Sequence, residues 1–149
     1  MSIVGQLPVE SRIILYVILS AIALFTVLVL WAQIGIIRGK PFGNPDGTRD
    51  DWREQKIYYG IAWADILVAC PVSFAALILI FAAPRYGFYT MSLVSFWFVW
   101  SNVMTTVTSL RFEKPKFTLQ WMVVFPLGTM IGLVFIIWTL VHFDAIYSI

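Results

Sequence analysis

Four long runs of apolar residues constrain the fold of this chain more than any other feature of its sequence. They cover residues 13–37, 57–83, 87–110 and 117–141, and together they hold a single formally charged side chain, Asp65. Each run exceeds the roughly 20 residues that an α-helix needs to cross the hydrocarbon core of a bilayer. The runs are apolar nearly all round, which is typical of helices that lie in a membrane. We therefore predict an all-α integral membrane protein with four transmembrane helices.

The connections between the runs indicate how the helices are arranged. The second and third connections are short, which favours antiparallel neighbours and predicts one up-down-up-down four-helix bundle over residues 1–149. Eight of the ten Lys and Arg residues fall in segments 38–56 and 111–116, whereas Arg12 and Arg85 fall on the opposite side. The positive-inside rule therefore makes 38–56 a cytoplasmic connection and places both termini on the non-cytoplasmic side. We expect a multi-pass protein of the bacterial inner (plasma) membrane.

The rest of the composition excludes several kinds of chemistry. Cys70 is the only cysteine and His142 the only histidine, so one chain can form no internal disulfide, no bis-histidine haem site and no zinc cluster. The net charge is +2, and the cations form no basic stripe that would follow a phosphate backbone. We therefore expect no cofactor, no metal site, no catalytic residue and no nucleic-acid partner.

Asp65 is the strongest candidate for a functional residue, because a charged carboxylate in hydrocarbon is too costly to occur without a reason. It lies eight residues into its run, which is about 12 Å of helical rise. Asn102 lies eight residues from the end of the next run, so the two side chains should reach similar depth and form a hydrogen bond. No run supplies a Lys or Arg partner. Asp65 must therefore be protonated, hydrated, bonded to donors or paired with a group outside this chain.

Other polar and aromatic residues are predicted to complete the site. Gln33 lies one turn nearer the cytoplasm than the matching depth in the first run, and Thr105 belongs to a polar stripe along the third run. Trp63 and Trp100 lie deep enough to form a pocket wall, and each buried indole N–H needs an acceptor. The predicted ligand-binding residues are Asp65, Asn102, Trp63, Trp100, Gln33 and Thr105. The alternative is that these polar groups only form hydrogen bonds between helices, without any ligand.

Two further features indicate packing. Gly128 and Gly132 have the GxxxG spacing, which allows helices to approach closely within the bundle or between copies. Pro71 is expected to bend the second helix and to free the backbone carbonyl of Leu67, close to Asp65.

Three functions follow from these residues. The first is binding or transport of a proton, a small cation or a lipid-like ligand at the Asp65/Asn102 site near the cytoplasmic leaflet. The second is an accessory or structural subunit of a larger membrane complex, or a homo-oligomer, with contacts through Gly128, Gly132 and the 38–56 connection. The third is a lipid-modifying enzyme, which is less favoured because only Tyr58 and Tyr59 could provide a second titratable group. No stretch matches a family motif from which residue roles could be transferred.

Overall fold

The computed structural model of the protein describes residues 3–39, 42–43, 49–50, 56–111 and 119–148, and nearly all of these are helical. The helices in chain order are α1 (Ile3–Gln6), α2 (Val9–Ile37), α3 (Lys56–Ala64), α4 (Cys70–Ala82), α5 (Pro84–Arg111), α6 (Leu119–Val141) and α7 (Phe143–Tyr147). The predicted all-helical class is thus confirmed.

Two short elements complete the described chain. A π-helical turn, Asp65–Ala69, joins α3 to α4 without a break. Strands β1 (Phe42–Gly43) and β2 (Arg49–Asp50) form an antiparallel pair of two residues each. The rest of the predicted cytoplasmic connection, apart from Arg38, Gly39 and Lys56, lies outside the described residues.

Three long apolar helices indicate a membrane protein. Three helices of the described chain are long and apolar enough to cross a bilayer: Val9–Ile37, Tyr59–Ala82 and Val123–Val141. Large apolar side chains such as Val17, Ile78 and Leu93 are more than half exposed on the outside of these and neighbouring helices. Such a surface suits lipid rather than water. Helix α5 is 28 residues long, but its many Ser and Thr residues make it the least apolar of the long helices.

Glycine and proline set the ends of the long helices. Helix α2 ends where Gly39 adopts a left-handed φ of 69° and donates its backbone N–H to the carbonyl of Ile36. Pro84 begins α5, a position where the N–H that proline lacks would have no helical partner. Only Ala83 therefore separates α4 from α5, and the chain turns sharply there.

The main apolar core lies in the half of the molecule that contains the chain termini. Phe88 of α5 stacks on Phe135 and Trp138 of α6, with ring centroids 6.3 and 5.8 Å apart. Leu15 and Ile22 of α2 belong to the same fully buried cluster. The other half has a much smaller apolar cluster, around Ile36 and Ala62. The candidate site lies in that second half.

Helix α6 approaches α5 closely through its two glycines. A Cβ added to Gly132 would lie 2.5 Å from the backbone carbonyl oxygen of Ser95, and one added to Gly128 would lie 2.6 Å from Nδ2 of Asn102. Both glycines therefore contact α5 of the same chain. The sequence left open whether they join helices within the bundle or between copies, and these contacts are within the chain.

Candidate functional site

Asp65 is buried at the meeting point of three helical segments, with a side chain only 6% exposed. Gln33 of α2 donates Nε2–H to Oδ2 at 2.6 Å, and Trp97 of α5 donates Nε1–H to Oδ1 at 3.1 Å. Each carboxyl oxygen therefore receives one N–H from a different neighbouring helix. The carboxyl is satisfied in part by these donors, as an intramembrane acid must be.

The π-helical turn directs Asp65 toward α2. The backbone N–H of Cys70 bonds to the carbonyl of Asp65, five residues earlier, and Pro71 follows with no N–H of its own. A second α2 contact lies farther along α4, where Thr26 and Ser73 share a hydrogen bond of 2.8 Å. On α2 the two bonded residues, Thr26 and Gln33, are seven positions apart. Their partners Ser73 and Asp65 are eight positions apart.

A spacing of seven residues is close to two α-helical turns and returns a side chain to the same face, whereas a spacing of eight residues does not. The π turn adds the extra residue, so Asp65 and Ser73 can both face α2. The π turn lies directly before Cys70 and Pro71, where the sequence predicts a bend. Helices with such π turns often place functional side chains there.

A cavity of about 620 Å³ adjoins the carboxyl group. This volume falls within the range of small-molecule binding sites, which is about 300–1,000 Å³. The polar part of its wall includes Gln33, Asp65, Trp97, Ser101, Asn102 and Thr105. Most of the remaining wall is aliphatic or aromatic, with Phe25 of α2, Phe98 of α5 and Ile131 of α6 as examples. The cavity is therefore amphipathic.

The cavity opens sideways between α2 and α6. Leu24 and Leu28 of α2 and Leu127 of α6 line it, yet they are 63, 51 and 45% exposed. At the opposite end of the molecule, Nε2 of His142, the residue that follows α6, lies 2.9 Å from Oγ of Ser11 on α2. The opening faces the surface on which lipid would lie.

Two predicted residues line the cavity without contacting the carboxyl group. The expected hydrogen bond between Asp65 and Asn102 is absent, because Asn102 donates Nδ2–H to the carbonyl of Phe98 at 2.8 Å. Thr105 likewise donates its hydroxyl to the carbonyl of Ser101 at 2.7 Å. Short polar side chains in a helix often bond to the backbone one turn earlier in this way. Of the six predicted residues, the structure brings Gln33 and Asp65 into direct contact.

The two predicted tryptophans lie outside the cavity wall. Trp63 is 41% exposed and Trp100 is 47% exposed, and Trp97 occupies the position that the sequence assigned to them. Trp97 shares a helix face with Ser101 and Thr105 at spacings of four and eight residues. That spacing was the signal in the sequence that could have identified it.

One atom of the site lacks a partner. Oε1 of Gln33 is buried and accepts no hydrogen bond. An unsatisfied buried acceptor costs about 1–3 kcal/mol. The carboxamide is therefore held by its Nε2 contact to Asp65 despite this cost.

A metal centre does not emerge from the side chains that the structure describes, since they contain no cluster of three or more His, Cys, Asp or Glu residues. No protein-family model, no curated protein and no solved structure matches the chain.

Proposed function

We propose that this protein binds an amphipathic, lipid-like molecule inside the membrane. The polar end of the molecule lies at Asp65 and Gln33, and its apolar part fills the space between α2 and α6. The observation that carries this proposal is one cavity that joins a buried carboxyl group to a wide apolar wall and opens at exposed leucines. Such a wall suits a hydrocarbon chain far better than it suits water or an inorganic ion.

The proposal includes four membrane crossings, with α5 as the third. At 28 residues α5 is long enough to span a bilayer, and its polar residues Asn102 and Thr105 are buried against the other helices. Gly132 lies near Ser95 and Gly128 lies near Asn102, which supports opposite directions for α5 and α6. With both termini on the non-cytoplasmic side, the site lies nearer the cytoplasmic leaflet.

Two other functions receive less support. A bare divalent cation such as Ca²⁺ takes about 6–8 oxygen ligands, whereas the cavity wall holds one carboxylate and is mostly apolar. An accessory subunit was expected to use Gly128, Gly132 and the 38–56 connection as contacts, and most of that connection lies outside the described residues. Both glycines lie against α5 of the same chain, which leaves them unavailable to a partner.

The proposal predicts that filling the cavity prevents ligand binding. Ala32 lines the cavity, so Ala32→Phe should occupy the space of the ligand's chain. The test is thermal unfolding of the protein in nanodiscs, followed by tryptophan fluorescence, with dodecylamine, dodecanol or dodecanoic acid added. At least one probe should raise the unfolding temperature of the wild-type protein by a few degrees, because a ligand that binds only the folded state stabilises it.

Ala82→Phe is the matched control, since Ala82 is exposed and lies outside the cavity wall. This variant should respond to the probes as the wild-type protein does, whereas Ala32→Phe should not respond. Equal responses of the two variants, or no response of the wild-type protein to any probe, would reject the proposed function.

A further inference from the structure

We infer that the cavity selects a long-chain primary amine, with its ammonium group at Asp65 and its alkyl chain along α2. This inference rests on the proposed function and specifies the head group of the ligand. It follows from the hydrogen-bonding capacity of the polar end, from the charges of the cavity wall and from the direction in which the cavity extends.

The polar end of the cavity offers more acceptors than donors. Gln33 and Trp97 each direct an N–H at Asp65, while Asn102 and Thr105 donate to backbone carbonyls of α5. An ionised carboxylate has about four lone-pair sites, and Asp65 receives two N–H donors. A ligand must therefore bring donors to this end. A primary ammonium brings three N–H donors, whereas a hydroxyl group brings one.

The charges of the wall favour the same head group. The residues that line the cavity include Asp65 but no Lys or Arg among those that the structure describes. A buried ion needs a counter-charge to offset its desolvation. An ammonium group supplies that counter-charge to an ionised Asp65. A carboxylate or phosphate head group would meet a like charge and find no cation.

Gln33 is the second residue that recognises the head group. Its Oε1 is buried without a donor, and its Nε2 is held by Asp65. When a ligand N–H binds at Asp65, the carboxamide of Gln33 can rotate. Its Oε1 then accepts a hydrogen bond from the ligand and is no longer unsatisfied. The carboxyl of Asp65 attracts the charge, and the carboxamide of Gln33 adds an acceptor. A hydroxyl ligand cannot bond to both at once as a donor.

The shape of the cavity matches an extended chain. Its lining on α2 runs from Ala21 to Ile36, which is about 22 Å of helical rise. Gln33 lies near one end of this length, so the head group binds there and the chain extends toward Ala21. The gap at Leu24, Leu28 and Leu127 lets the chain enter from the side, without passing through water.

The test is equilibrium binding of tritiated dodecylamine to the protein in nanodiscs, with binding to empty nanodiscs subtracted. Unlabelled dodecylamine should displace the label at a concentration roughly tenfold or more below that of dodecanol. Dodecanoic acid should not displace it. Asp65→Asn should weaken dodecylamine binding by about tenfold or more and should remove the preference for amine over alcohol.

Gln33→Leu should reduce the preference for amine over alcohol, whereas Gln6→Leu, at an exposed position of α1, should leave it unchanged. Two results in the wild-type protein would overturn this inference and leave the proposed function intact. One is equal displacement by amine and alcohol, and the other is stronger displacement by the acid than by the amine. If no probe binds the wild-type protein more strongly than it binds Ala32→Phe, both the inference and the proposed function are overturned. The wild-type ranking needs no variant, so it decides the question even where a variant fails to fold.

Discussion

Gly132→Ala is expected to destabilise the protein by about 1–3 kcal/mol, as overpacking of a tight interior contact does. The new methyl group would lie 2.5 Å from the backbone oxygen of Ser95 and 3.0 Å from Cγ2 of Val99. A backbone carbonyl in the middle of α5 cannot turn aside, so α6 must move away from α5. The measurement is the thermal unfolding temperature in nanodiscs, which should fall by several degrees.

Substitutions at two other glycines serve as controls. Gly60→Ala adds a methyl group that meets no atom within 4 Å, so the higher helix propensity of alanine should leave stability unchanged or slightly raised. Gly128→Ala should cost less than Gly132→Ala, because its methyl group meets the end of the Asn102 side chain, which can rotate. If Gly132→Ala unfolds at the wild-type temperature, α5 and α6 are not in close contact at this position.

Trp97→Phe is the second substitution with a large expected effect. It removes the N–H that Oδ1 of Asp65 accepts at 3.1 Å and leaves a buried carboxyl oxygen without that donor. Loss of one partner of a buried polar pair costs about 1–3 kcal/mol, and more when the remaining group is charged. The free energy of unfolding should fall by that amount, as measured by reversible denaturation in detergent micelles.

The neighbouring indole provides the control. Trp100 lies 5.3 Å from Trp97 between ring centroids but is largely exposed and donates no described hydrogen bond to Asp65, so Trp100→Phe should change stability by at most about 0.5 kcal/mol. In an Asp65→Asn background, the effect of Trp97→Phe should shrink, because the two residues are coupled. Equal effects of the two tryptophan substitutions would show that Asp65 does not depend on Trp97.

The helical class and the positions of the long helices followed from the apolar runs of the sequence. A run of 20 or more apolar residues with almost no charge has few alternatives to a membrane helix, because every backbone polar group in lipid must be bonded internally. The run expected to start at residue 13 forms a helix from Val9, and the run expected at 87–110 forms Pro84–Arg111. Such shifts arise because the polar first turn of a helix can lie outside the apolar run.

The site could be predicted only in part. Asp65 and Gln33 stood out because they are rare polar groups in apolar runs. Trp97 did not stand out, although it shares a helix face with Ser101 and Thr105, because an aromatic side chain is common in an apolar run. Counting depth also assumed a uniform α-helix, and the π turn at Asp65 alters the direction of the side chain. Trp97, rather than Trp63 or Trp100, contacts the carboxyl group.

The most direct measurement is photolabelling by a dodecylamine that carries a diazirine at the end of its chain, followed by peptide mapping. With the ammonium group at Asp65, label should concentrate on the far part of the cavity wall, near Ala21, Leu24 and Ile131, and unlabelled dodecylamine should suppress it. Label spread evenly over outward residues such as Ile78 and Leu93, with no excess in the cavity, would contradict an intramembrane binding site at Asp65.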